Sequence, residues 1–202
     1  MKTHYFKHNA TLLGICLFIV TTCGCTKESL QKQLPPITQT GANTFGAIVD
    51  GRVFVPKDSY SSTPGGGRVK ALEVLVGHDF FDTNGNDKWF ISTYNYKDSP
   101  ETYIYIYIPT LLNNPMNHLI QESDGSEKSN LSYPHIYCLI KKGQYQYRSY
   151  NNSGELNFSR LDMINGIYSG TFNVKLKNKD DSTDIIEITD GRFDINLNTI
   201  NN

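Results

Sequence analysis

Hydrophobic and polar positions follow two different patterns along the chain, and the change falls near residue 25. From Leu12 to Val20 the chain is continuously apolar, with Lys2 and Lys7 before the run and small residues after it. A positive segment, an apolar stretch of roughly 7–15 residues and a small-residue cut site together make a secretory leader. The run falls short of the ~20 apolar residues that a bilayer-spanning helix needs. It is also hydrophobic all round, unlike the one-sided helix of a soluble domain.

Beyond the leader the period changes to two. Thr102-Tyr103-Ile104-Tyr105-Ile106-Tyr107-Ile108 puts tyrosines on one face of a strand and isoleucines on the other. The same alternation predicts strands at Phe45–Val49, Arg52–Val55, Val69–Val76 and Lys88–Tyr96. Further strands are expected at His135–Lys141, Gln144–Tyr150, Gly154–Arg160, Gly166–Lys177 and Asp184–Leu197. All are rich in Val, Ile, Tyr, Phe and Thr, which suit a pleated, half-buried surface. Asp50-Gly51 fits a type I′ hairpin turn, and Asn84-Gly85-Asn86-Asp87 and Lys142-Gly143 mark further reversals. Asp190-Gly191 breaks the last run and is expected to form either a hairpin or a bulge. About ten strands at this spacing make an all-β fold, a single antiparallel β-sandwich or barrel-like domain with little helix.

Two segments stand outside this pattern. Pro109–Gln121 carries Leu111, Leu112, Met116, Leu119 and Ile120 around Pro115, and is expected to form one helical turn or an ordered loop. Ser59–Gly67, with Pro64 and three glycines, and the polar stretch Glu122–Ser132 read as loops.

The leader ends in Thr22-Cys23-Gly24-Cys25, which resembles the lipobox of bacterial lipoproteins, where a Cys after small or aliphatic residues receives lipid. Gly24 before the cut favours Cys25 as the lipid site; Val20-Thr21-Thr22-Cys23 offers Cys23 as the alternative. Of the four cysteines, Cys16 and Cys23 then fall in the leader and only Cys138 stays in the folded part, so no internal disulfide can form there. Cys138 lies in an apolar strand and reads as buried and inert. The expected organisation is a signal peptide over 1–24, a lipid-anchored tether over 25–38 and one β-rich domain over 39–202. Pro35-Pro36 favours an extended tether, and residues 26–36 can reach at most ~35 Å. Acyl chains such as palmitate on Cys25 would anchor the chain to a membrane without a polybasic patch.

The leader's two lysines leave with it, so the whole-chain balance of 19 basic and 20 acidic residues, net −1, becomes −3. No basic patch or Arg-rich helix is present, which argues against a nucleic-acid partner. Leu34-Pro35-Pro36-Ile37-Thr38-Gln39-Thr40-Gly41-Ala42-Asn43-Thr44-Phe45-Gly46-Ala47 with Val49-Asp50-Gly51, and later Ser169-Gly170-Thr171-Phe172 and Ile188-Thr189-Asp190-Gly191-Arg192-Phe193-Asp194, resemble the opening and closing motifs of an uncharacterised lipoprotein family of the Bacteroidota. The resemblance implies a Cys-anchored cell-envelope protein, most naturally of the outer membrane, with one β-rich domain and no assigned catalytic residues. The acidic signal after the lipidated Cys is reduced to Lys27-Glu28, so the residues leave surface and periplasmic faces both open.

Motifs for chemistry are sparse. Asp79, Asp82, Asn84, Asn86 and Asp87 cluster, but a calcium loop needs Gly at its sixth position and Glu at its twelfth, and a hairpin turn explains them better. His78, His118 and His135 each stand alone, without zinc-ligand spacing. No nucleophile elbow or phosphate loop occurs, so no catalytic residue, metal or cofactor is expected. Aromatic content is the one hint of binding: Tyr103, Tyr105 and Tyr107 share one face, and Tyr145 and Tyr147 another. Such stripes can stack on sugars or anchor a protein interface, or can instead line a sheet and cap the core under a loop. The sequence therefore points to a ligand-binding or protein-interaction module of the envelope, with a glycan, a small apolar molecule or an envelope protein as partner. A structural envelope component is the alternative, and a hydrolase of envelope or glycan substrates the third reading.

Overall fold

The structure is a computed structural model that describes residues 24–61, 65–77, 88–109, 116–127, 129, 131–141 and 143–201. The leader with Cys23, His78, the acidic cluster from Asp79 to Asp87 and Pro115 lie outside the described residues. The chain divides into a unit ending at Gln33 and a second unit over Leu34–Asn202. In the first, Gly24–Gln31 forms one short helix, α1, within the segment expected to be an extended tether. No helix among the described residues is long and apolar enough to cross a membrane.

The second unit is nearly all antiparallel β. Its strands are β1 (Thr44–Val49), β2 (Arg52–Phe54), β3 (Ser59–Tyr60), β4 (Arg68–Val69), β5 (Leu72–Gly77) and β6 (Lys88–Asn95). Then come β7 (Thr102–Ile108), β8 (Asn117–Ile120), β9 (His135–Ile140), β10 (Tyr145–Asp162), β11 (Ile167–Asn178) and β12 (Ile185–Asn196). Nine strands run in the order β2-β1-β12-β11-β10-β9-β7-β6-β5, and β8 pairs with β10 off this path. The path curls into a half-barrel, the barrel-like outcome of the strand pattern, and β3 and β4 form a separate small pair.

Alternation fixes which side each residue faces. The inner face buries Phe45, Ile91, Ile104, Ile106, Leu156 and Phe172 in one core that draws on nearly every strand. Each such aliphatic side chain adds about 1.5–3 kcal/mol when fully buried. Cys138 lies in this core, and burial pushes its thiol far above the ordinary range, so it is inert.

Local features sharpen or depart from the sequence pattern: the strand expected over Val69–Val76 divides into β4 and β5, and the expected loop Ser59–Gly67 begins with β3. Gln144–Tyr150 and Gly154–Arg160 merge into one long strand, β10, bent where residues 150–153 lie opposite Lys175 alone. Asn152 takes the left-handed conformation there, φ 56°. A Cβ on Gly154 would lie 2.1 Å from the Asn173 carbonyl oxygen, so no other residue fits the bend. The bend lets one edge of β10 hold β9 along its first half and β8 along its second. Asn117–Ile120 is accordingly a strand and not a helical turn: the β10 edge supplies hydrogen bonds that the local sequence does not advertise. Asp190-Gly191 resolves as a bulge inside the continuous β12, with Asp190 at φ 53°.

Segments near the start and the end of the second unit fasten onto its sheet. Asp194, 1 % exposed, accepts six hydrogen bonds, from the Thr38 hydroxyl, the Thr40 amide and hydroxyl, the Gly41 and Ala42 amides and the Ser169 hydroxyl. Although burial pulls the other way, these donors hold its carboxyl far below the usual range. The carboxylate thus clasps the strap from residue 38 to 42 onto β12, and Leu34, 7 % exposed, packs against the same unit. At the sheet's far edge the Asn201 side chain bridges the amide and carbonyl of Val74, covering part of the free rim of β5.

Candidate functional site

Four turns meet at one end of the half-barrel: β1–β2, β6–β7, β9–β10 and β11–β12. They surround a cleft of about 410 Å³. Around its rim, in sheet order, stand Arg52 and Asp50, then Asp184, then Tyr147 and Tyr145, then Lys141, and lastly the segment Asp98–Thr102. Val49, Phe54, Ile140 and Ile186 make an apolar floor. The lining is about half polar and half apolar, a mixture that can orient a ligand as well as hold it.

Each wall has a local cause. Asp50 and Gly51 take φ 46° and 72°, the two positive values that a type I′ turn requires, as their sequence predicts. The Asp50 amide donates to the Glu187 carbonyl at 2.8 Å, which ties this turn to β12. On the opposite wall the Asn95 side chain accepts from the amides of Lys97 and Asp98 and donates to the Asp98 carboxylate. Lys57 grips both Asp98 oxygens at 2.7 Å, and its hydrogen bond is the main cause holding that carboxyl below its ordinary value. The Ser99–Pro100 peptide is cis, and the Thr102 hydroxyl donates to the Pro100 carbonyl.

Between these walls, the Tyr147 hydroxyl donates to Asp184 Oδ2 at 2.9 Å, and Asn178 donates to the same oxygen at 2.9 Å. Burial first, then this bond and the nearby charges of Asp184 and Asp50, push the Tyr147 phenol up to about 12. Lys141, at φ 54° in the β9–β10 turn, holds its ammonium 5.0 Å above the centre of the Tyr145 ring.

The two tyrosine stripes therefore have different fates. Tyr145 and Tyr147 line the cleft. Tyr103, Tyr105 and Tyr107 lie on the other face of the sheet, where Phe90, Tyr105, Tyr107 and Tyr137 form a second buried cluster. Tyr105 and Tyr107 are 4 % and 3 % exposed, so they offer no open surface. The described residues between 121 and 134 cover them: the Tyr107 hydroxyl donates to the Leu131 carbonyl, Ser129 is buried, and Gln146 donates to the Gly125 carbonyl. Tyr105 stacks on Tyr137 at 4.4 Å, and burial drives both phenols far above the ordinary range. Tyr103 is half-buried, packs with Tyr94 and Tyr96, and donates to Glu101.

The histidines separate as well. His118 on β8 meets Phe158 edge-on. His135 is fully buried, stacks on Tyr107 and shares a 2.8 Å hydrogen bond between Nδ1 and Ser123 Oγ. Asp124 lies 3.8 Å from Nε2, too far for a hydrogen bond. Serine, histidine and aspartate thus converge, as a hydrolase would need, but not in a usable way. Ser123 is 4 % exposed, and its Oγ already accepts the Gly125 amide. No substrate carbonyl can reach that oxygen, so the trio works as a latch for the covering loop. Burial lowers the His135 imidazole to about 4, against the opposing pull of Asp124.

Among the described residues no group of three or more His, Cys, Asp or Glu is placed to hold a metal ion. Cys25 falls within α1, and Cys23 lies outside the described residues. The sequence pattern singled out neither Asp184 nor the rim role of Asp50, Arg52 and Lys141. Their one signal was position beside predicted turns, which gains meaning only when the strand order brings those turns to one end. No family model, curated protein or solved structure matches the chain.

Proposed function

We propose that the chain is a lipid-anchored lipoprotein of the cell envelope, held by acyl chains on Cys25, whose β-domain binds a small ligand in the turn-end cleft. The observation that carries this reading is the cleft itself: Tyr145 and Tyr147 meet Asp50, Asp184, Arg52 and Lys141 around an apolar floor. Aromatic surface supplies contact area, and the polar rim supplies orientation. The leader and the Gly24-Cys25 cut support the anchoring half of the reading.

A thermal-shift screen of the full chain against envelope extracts and defined small molecules tests the binding half. Ligands that raise the melting temperature of the wild type should fail to do so with Tyr145→Ala. A ligand whose effect survives that change but disappears in Tyr103→Ala would move the site to the outer face. Cys25→Ala should release the chain from the membrane fraction and abolish lipid labelling; retention in Cys25→Ala with loss in Cys23→Ala would transfer the anchor to Cys23.

A further inference from the structure

Asp50, Asp98 and Asp184 stand against Arg52, Lys141 and Lys57 around the cleft, an even count of charges, but not every carboxylate is paired. Asp98 is neutralised in place by Lys57. Asp184 uses Oδ2 for Tyr147 and Asn178, which leaves Oδ1 without a hydrogen-bond donor among the described residues. Asp50 holds its backbone in the turn, and no ion pair engages its carboxylate among the described residues. Both residues line the cleft, Asp184 bonded to the Tyr147 hydroxyl and Asp50 on the neighbouring turn. The adjoining wall already shows what its aromatic surface accepts: the Lys141 ammonium lies over the Tyr145 ring. A cation over a ring face, beside carboxylates in a partly desolvated cleft, is the pairing expected for an organic ammonium group.

Resting on the reading of the cleft as a binding site, we propose that it recognises its ligand through a primary ammonium group. That group would sit between Asp50, Asp184 and the tyrosine rings, a place that Lys141 partly occupies in the free protein. The chain's own lysine is then a built-in competitor. A polyol is less well served, because Lys141 covers the ring on which a sugar would stack. A dianion is less well served, because it would face two carboxylates as it approached Arg52.

Calorimetric titration of the full chain with 1,5-diaminopentane tests this, with 1,5-pentanediol, glutarate and maltose as matched probes. Diaminopentane should bind and the other three should not. Asp184→Asn and Asp50→Asn should each weaken binding tenfold or more; both keep the shape of the side chain, and Asn is favoured at the left-handed position 50. Lys141→Ala should tighten binding several-fold, which simple attraction of a cation to an acidic protein would not produce. Equal diaminopentane affinity in wild type, Asp50→Asn and Asp184→Asn would overturn the proposal. Binding of pentanediol, glutarate or maltose that is lost in Tyr145→Ala would overturn the ammonium assignment while leaving the cleft as the site. Failure of all four probes and of the extract screen alike would overturn both.

Discussion

The same residue type, in the same period-two pattern, meets different surroundings at two places in this molecule. Tyr105 and Tyr107 are sealed beneath the described residues between 121 and 134, whereas of the cleft pair Tyr147 is also buried, 8 % exposed, and Tyr145 stands partly open at the mouth of the half-barrel. The difference comes from what lies beyond each strand. β8 and β9 both pair with one edge of β10, and the chain between them leaves the sheet and returns over its outer face. At the turn end, among the described residues, short turns leave a cleft of about 410 Å³. An aromatic stripe read from sequence thus says that a face is apolar; whether that face is covered is decided by non-local chain.

The largest test of this contrast is stability. Tyr105→Ala removes a buried ring stacked on Tyr137 and should cost about 3–5 kcal/mol in urea denaturation. Tyr145→Ala, at a partly exposed position, should cost well under half of that. Equal losses would mean that the two stripes are equally buried.

Acid should strike the covered face first. His135 has a folded-state value of about 4 against 6.5 unfolded, so above 6.5 both states are neutral and its titration changes nothing. Between 6.5 and about 4 the unfolded chain binds a proton that the folded one resists, and stability falls as pH falls, by about 3 kcal/mol in all. His135→Asn, which can keep a group near the Nδ1 position, should flatten the unfolding free energy across that window. Asp194 behaves separately. Its carboxyl is depressed in the fold, so its contribution is present above about 3.8 and is lost only below it. An unchanged slope in His135→Asn would place the acid sensitivity elsewhere.

A smaller effect isolates the latch. Ser123→Ala removes the bond to His135 and the acceptor for the Gly125 amide, and should cost about 1–2 kcal/mol. Hydrogen exchange should quicken at residues 123–131 while the amides of β7 and β10 stay protected. Uniform quickening throughout the sheet would show that the loop and sheet open as one unit.

Much of this architecture was legible in local sequence. Period-two alternation found β1, β6, β7, β9, β11 and β12, and Asp50-Gly51 named its turn type, because side-chain direction and positive φ are local properties. Cys138 was readable as buried from its apolar neighbours alone. The clasp of residues 38–42 on Asp194 was not readable, since its partners stand more than 150 residues apart. Strand β8 was hidden for the same reason: Asn117-His118-Leu119-Ile120 becomes a strand because the bent β10 offers it an edge. The candidate site followed this rule. Tyr145 and Tyr147 were visible as a pair, but Asp184 joins them only through the curl of the sheet.

The most direct measurement of the central contrast is tyrosine nitration followed residue by residue by mass spectrometry, with Tyr60, 73 % exposed, as the reference. Tyr145 should react in the folded protein, Tyr105 and Tyr107 only after unfolding, and a cleft ligand should protect Tyr145 alone. Reaction of Tyr105 and Tyr107 as fast as Tyr145, or ligand protection that falls on Tyr103 and leaves Tyr145 unchanged, would contradict the assignment of the turn-end cleft as the binding site.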